Sequence, residues 1–117
     1  MKLKVCGMRE TKNITALASL QPDYMGFIFW ESSKRYCATI PSDIPKSIKK
    51  VGVFVDETTE KIKAKVKLFG LDAVQLHGDE NPRQCVALLS LCEVIKAFRI
   101  GPDFDFKQLA PYHGHCT

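Results

Sequence analysis

The chain has 117 residues, 45% apolar, 26% charged and 9% aromatic, which is the composition of an ordinary globular domain with one core. Its 17 basic and 13 acidic side chains leave a net charge of +4, too small and too scattered to point to nucleic acid as a partner. No apolar run approaches the ~20 residues that span a bilayer, and the start Met1-Lys2-Leu3-Lys4-Val5 lacks the apolar stretch of a signal peptide, so neither a membrane partner nor secretion is expected. Cys6, Cys37, Cys85, Cys92 and Cys116 are an odd number with no C-x-x-C pair among them, and reduced thiols in a cytoplasmic protein are the expectation.

In chain order, Leu3-Lys4-Val5 reads as a short first strand, and Ile14, Leu17 and Ala18 give the segment after it the apolar face of a helix. A second strand covers Met25-Gly26-Phe27-Ile28-Phe29; the connection after it, around Ile44 and Ile48, is broken by Pro41 and Pro45 and has room for a single turn. Val51-Gly52-Val53-Phe54-Val55 is the third strand. Beyond it Ile62, Val66 and Phe69 fall at i, i+4 and i+7, with Glu57 and Glu60 near the helix start and Gly70 just past its end. Ala73-Val74-Gln75-Leu76 is the fourth strand, followed by a helix that Asn81 can cap, with Pro82 at its first position and an apolar stripe of Cys85, Leu88 and Leu89. That stripe puts Cys85 in the core. Val94-Ile95-Lys96-Ala97-Phe98 is the fifth strand, and Asp103 and Asp105 read as residues at the start of one more helix. The first residues of successive strands lie 22, 26, 22 and 21 apart, too far for hairpins and right for helical crossovers between parallel strands. The reading is a βα repeat in a single domain over residues 1–117.

Ligands of parallel α/β folds sit at the carboxyl ends of the strands. Three residues there can carry chemistry. Cys6 closes the first strand beside Gly7, and its thiolate could serve as base or nucleophile, although a buried structural thiol is the commoner use of the residue. Arg35, in Ser32-Ser33-Lys34-Arg35-Tyr36, could hold a carboxylate or phosphate with its planar fork, or could be a solvated loop residue. His77, in Gln75-Leu76-His77-Gly78-Asp79-Glu80, could bond a substrate oxygen or simply end its strand with a satisfied ring. His113, His115 and Cys116 look like a metal cluster only superficially, because a fourth ligand is missing, and no metal site is expected.

Taken together, Lys4-Val5-Cys6-Gly7-Met8-Arg9, Gly26-Phe27-Ile28-Phe29-Trp30 with Ser33-Lys34-Arg35-Tyr36, Val51-Gly52-Val53-Phe54-Val55, Val74-Gln75-Leu76-His77-Gly78-Asp79-Glu80 and Val94-Ile95-Lys96-Ala97 closely resemble the phosphoribosylanthranilate isomerases, in family order and over essentially the whole chain. The resemblance implies a TIM (βα)8-barrel fold and an Amadori rearrangement in tryptophan biosynthesis, with a small phosphorylated substrate and no cofactor. It implies Cys6 as the general base that takes a proton from ribose C2′, Arg35 as the grip on the anthranilate carboxylate, and His77 as part of the substrate wall.

A complete barrel of this kind needs roughly 200 residues or more. The sequence accounts for about five of its eight βα units, so a partial barrel is expected. The family's general acid, an aspartate ending the sixth strand, would lie just beyond Thr117, and the phosphate-binding loops after strands seven and eight would lie further on. Asp103 and Asp105 do not stand in for that acid. The expectation is therefore an amino-terminal part of the isomerase, inactive as this chain and self-associating through open barrel edges. Two other readings are a non-catalytic half-barrel that acts as an assembly or ligand-binding module, and an open flavodoxin-like sheet of five strands; the lack of a Gly-rich loop after the first strand weakens the latter.

Overall fold

The computed structural model describes all 117 residues. Five strands, β1 (Lys4–Val5), β2 (Tyr24–Ile28), β3 (Lys49–Phe54), β4 (Ala73–Leu76) and β5 (Glu93–Lys96), lie side by side in chain order, each pair parallel. A flavodoxin-like sheet reverses its strand order at a switch point. This one does not, and that alternative falls. Only β4 keeps the bounds of the sequence reading; β1 starts at Lys4, β2 and β3 each end one residue sooner, at Ile28 and Phe54, and β5 starts at Glu93. Lys49 and Lys50 join β3 because their backbone pairs with Tyr24 and Met25 of β2, and a ladder is indifferent to side-chain polarity. For the same reason β2 starts at Tyr24. β5 stops at Lys96, short of Phe98.

The crossovers follow their local chemistry. Helix α1 spans Thr11–Ala18 and buries Ile14. The β2–β3 connection carries turns and one isolated bridge but no helix, in keeping with its two prolines. Helix α2 spans Thr59–Phe69; the Thr58 hydroxyl accepts the Lys61 N–H, and Gly70 ends the helix in the left-handed region at φ 59°, returning its N–H to the Val66 carbonyl. Helix α3, Pro82–Leu89, is capped by the Asn81 side chain, which accepts the Gln84 N–H at 3.0 Å, and its Cys85 is fully buried. After β5 comes a 3₁₀ helix, Phe106–Tyr112, whose first turn is capped by Asp105 through the Lys107 N–H; Asp103 takes no part in that cap.

Alternate residues of each strand separate two layers. Met25, Phe27, Phe54, Val74, Leu76 and Val94 pack with Ile14, Ile62, Val66, Cys85 and Leu88 of the helices. Tyr24, Val51, Ala73 and Ile95 pack on the other face, with no helical residue among them. All helices thus cover one side of the sheet, and the opposite side is concave. The curvature can be read from one contact. β1 and β4 are three strand spacings apart, roughly 14 Å in a flat sheet, yet Lys4 Nζ donates to Gln75 Oε1 at 2.6 Å. Tyr24 OH likewise donates to Glu93 Oε2, at 3.3 Å, from β2 to β5. Such contacts require a sheet rolled into an arc, as in part of a barrel wall. At the far edge, Thr117 donates to the Val94 carbonyl and accepts from the Lys96 N–H, both at 2.8 Å, which is a parallel bridge. The chain therefore returns to the sheet at Thr117 itself, one residue earlier than expected.

Candidate active site

All five strands run the same way, so the residues that follow them gather at one mouth of the arc. Cys6 comes directly after β1 and is half-buried. Its Sγ rests over Gly26 of β2, where an added Cβ would lie 2.9 Å from the sulfur. Only glycine lets the thiol lie flat on the second strand there. The next residue, Gly7, has φ +78°, and the Arg35 side chain fills the space where its Cβ would stand, with Nη1 2.7 Å from that position. The structure therefore brings Arg35 to the backbone beside Cys6, from a loop 28 residues further along the chain.

That loop is held by its own backbone. The Ser33 hydroxyl accepts the Arg35 N–H at 3.1 Å, the Cys37 N–H returns to the Ile28 carbonyl at 2.8 Å, and Tyr36 forms an isolated bridge to Ile28. Arg9 secures the neighbouring peptide by donating to the Lys34 carbonyl at 3.1 Å, and also meets Glu10 at 3.7 Å. The Arg35 guanidinium has neither a carboxylate within ion-pair distance nor an acceptor in the chain. It lines a cleft of about 210 Å³ with Gly7, Met8 and Asn13, and its donor fork is free for an anionic group.

His77 lies elsewhere along the mouth. It is exposed, follows β4, and its N–H donates to the Phe54 carbonyl at 2.9 Å. It lines a separate cleft of about 540 Å³ with Asp79, Phe98, Arg99 and Tyr112. β2 and β3 stand between it and Cys6, so these residues do not touch; they face one opening from opposite limbs of the arc. Cys37, Cys85 and Cys92 are a different kind of thiol from Cys6 by position. Burial pushes all three upward, Cys85 to about 11, so they stay protonated and inert at neutral pH.

Three features of this end escape a reading by periodicity. Glu80 and Lys96, 1% and 2% exposed at their side chains, form a buried ion pair at 3.3 Å. Asp56 adopts φ 50°, unusual for a residue with a Cβ, and its carboxylate accepts the Asp79 N–H at 2.6 Å. Lys4 and Gln75 join limbs 71 residues apart. The one available signal was Lys96, a charge inside the apolar run Val94–Phe98, since a lysine on a buried strand needs a partner.

The sequence profile of the family described as "N-(5'phosphoribosyl)anthranilate (PRA) isomerase" matches residues 3–116. The chain is 44% identical over 117 residues to the N-(5'-phosphoribosyl)anthranilate isomerase of Phocaeicola vulgatus, covering 99% of this chain and 57% of that protein. The crystal structure of phosphoribosyl anthranilate isomerase from Thermus thermophilus superposes with a TM-score of 0.86 at 27% identity, over 97% of this chain and 58% of the other. A further phosphoribosyl anthranilate isomerase, solved in complex with reduced 1-(o-carboxyphenylamino)-1-deoxyribulose 5-phosphate, superposes with a TM-score of 0.77 at 29% identity, over 100% of this chain and 72% of the other. The chain spans a little over half the length of the first two proteins.

Proposed function

The chain belongs to the N-(5'-phosphoribosyl)anthranilate isomerase family, and on that premise we propose that residues 1–117 form one unit, the amino-terminal limb of a (βα)8 barrel for the Amadori rearrangement of N-(5-phosphoribosyl)anthranilate in tryptophan biosynthesis. The observation that carries this reading is the meeting of Cys6 and Arg35 across Gly7 at the barrel mouth, with the guanidinium unpartnered. The reaction needs a base at ribose C2′ close to a site for the anthranilate carboxylate. Cys6 takes that proton once the sugar ring has opened to the iminium, Arg35 holds the carboxylate by its fork, and His77 forms part of the opposite substrate wall. The solved relative with a reduced deoxyribulose phosphate supports a phosphorylated sugar as the ligand class.

Ring opening also needs an acid at the furanose oxygen. Three carboxylates at this end have structural duties: Asp56 accepts the Asp79 N–H, Glu80 is buried against Lys96, and Asp105 caps the 3₁₀ helix. The family places its acid at the end of a sixth strand, and Thr117 already lies on that edge of β5. A polypeptide of residues 1–117 is therefore expected to show no turnover alone and to gain turnover when mixed with the carboxyl-terminal half of the Phocaeicola vulgatus relative. Loss of phosphoribosylanthranilate fluorescence is the measurement. Turnover by the purified chain alone, free of host enzyme, would show that the acid is misplaced; an inert mixture that nevertheless forms a stable complex would favour a non-catalytic half-barrel.

A further inference from the structure

The backbone around His77 is held at three successive groups. Its own N–H donates to the Phe54 carbonyl at 2.9 Å. The Gly78 N–H donates to the Glu80 carboxylate, 2.9 Å from Oε2 and 3.2 Å from Oε1. The Gly78 carbonyl accepts from Lys96 Nζ at 2.7 Å. Both polar groups of Gly78 are thus taken by the two charges of one buried ion pair. Glu80 Oε1 also accepts the Asp56 N–H at 3.0 Å, so the loops after β3 and β4 share a single acceptor. Gly78 has no room for a side chain, because the Asp56 carboxylate occupies the place of its Cβ.

A buried ion pair is a poor means of stabilising a fold, since apolar residues of similar volume often serve as well or better. It is a good means of fixing peptides, because hydrogen bonds to charged groups are shorter and stronger than neutral ones. We propose that Glu80, through its ion pair with Lys96, is a positioning residue for His77, setting the backbone from which the imidazole stands at the rim of the larger cleft. This rests on the isomerase reading of the site, where His77 belongs to the substrate wall.

Two measurements test it. The first needs no turnover and uses the 117-residue chain with labelled histidine. In the variant Glu80→Leu/Lys96→Met, which leaves no unpaired buried charge, the His77 ring resonance should move toward that of the exposed His113, while the amides of β2 keep their shifts. An unmoved His77 resonance in a folded variant overturns the proposal. If that variant does not fold, Glu80→Gln, which keeps the shape and one acceptor oxygen, should move the same resonance part of the way, and no movement there overturns the proposal equally. The second measurement is kinetic, in the mixture with the carboxyl-terminal half. The double variant should lower kcat/KM by up to about 10²-fold, the scale of a misplaced binding group. Adding His77→Ala to it should cost nothing more, whereas losses that multiply would show that the pair acts on the fold and not through His77. A wild-type mixture without turnover, beside a His77 resonance that moves as expected, would sink the isomerase reading and leave the positioning role standing.

Discussion

At the scale of single residues, Cys6 and Cys85 make a controlled comparison between a thiol at the mouth and one in the core. In the complementing mixture, Cys6→Ser should lower turnover by ~10²–10⁴-fold, the usual worth of a positioned base, with little change in stability. Unchanged turnover would remove Cys6 from the mechanism. Cys85→Ala should do the reverse, lowering stability with turnover per folded molecule kept. Cys85 also gives a pH signature. Its folded value lies near 11 against 9.0 in the unfolded chain, so unfolding releases a proton between those limits. Its contribution is complete below pH 9.0 and is lost as pH rises toward 11, at roughly 1.4 kcal/mol per pH unit. Urea melts from pH 8 to 10.5 should show this fall, and show less of it in Cys85→Ala. At Arg35 the test is shape: Arg35→Lys keeps the charge but not the planar fork, and should raise KM for phosphoribosylanthranilate in the mixture. Wild-type kinetics would demote Arg35 to a solvated loop residue.

At the scale of elements, the caps are local chemistry and should behave additively. Gly70 has only Lys50 Nζ, 3.5 Å away, near the place of a Cβ, so the cost of Gly70→Ala comes from its left-handed φ of 59° and should be about 1 kcal/mol. Asn81→Ala should cost a similar ~1 kcal/mol by freeing the Gln84 N–H. Gly52 differs in kind: a Cβ there would meet Leu71 at 2.6 Å and Phe54 at 2.8 Å, so Gly52→Ala overpacks the helix-side core, at ~1–3 kcal/mol. Denaturant midpoints of the three variants check the ranking, and a Gly52→Ala variant as stable as the parent would show that this layer has slack.

At the scale of the whole molecule, the arc leaves surface without partners. The outer side of β1 is unpaired, β5 is covered only at Thr117, and Val86, Leu89 and Leu91 are 48%, 42% and 39% exposed on and beside α3. The radius of gyration, 14.4 Å, exceeds the roughly 13 Å of a compact chain of this size, as an open wall should. Light scattering on the chain alone should therefore find a dimer or larger species. A compact monomer with one cooperative melt would contradict the open-arc picture, and mixing with the carboxyl-terminal half should reduce the association by covering the same surface.

The parallel βα repeat, the caps at Asn81 and Gly70, the core position of Cys85 and the family were all legible in the sequence. The repeat, the caps and the place of Cys85 depend on neighbours within a turn or a strand, where periodicity and backbone preference act directly, and the family on motifs spread from Lys4 to Ala97. The strand ends were less legible, because lysines such as Lys49 and Lys50 pair through backbone that apolar patterning does not record. Placing every helix on one face was beyond local pattern, since alternation marks two faces of a strand without saying which is covered. The approach of Arg35 to Cys6, the Lys4–Gln75 contact and the Glu80–Lys96 pair were decided only by the tertiary structure. They join residues 16 to 71 positions apart: the first and third meet where neighbouring strands pair, and the Lys4–Gln75 contact closes only when small twists between successive strands accumulate into an arc, a property of the sheet and of no single segment.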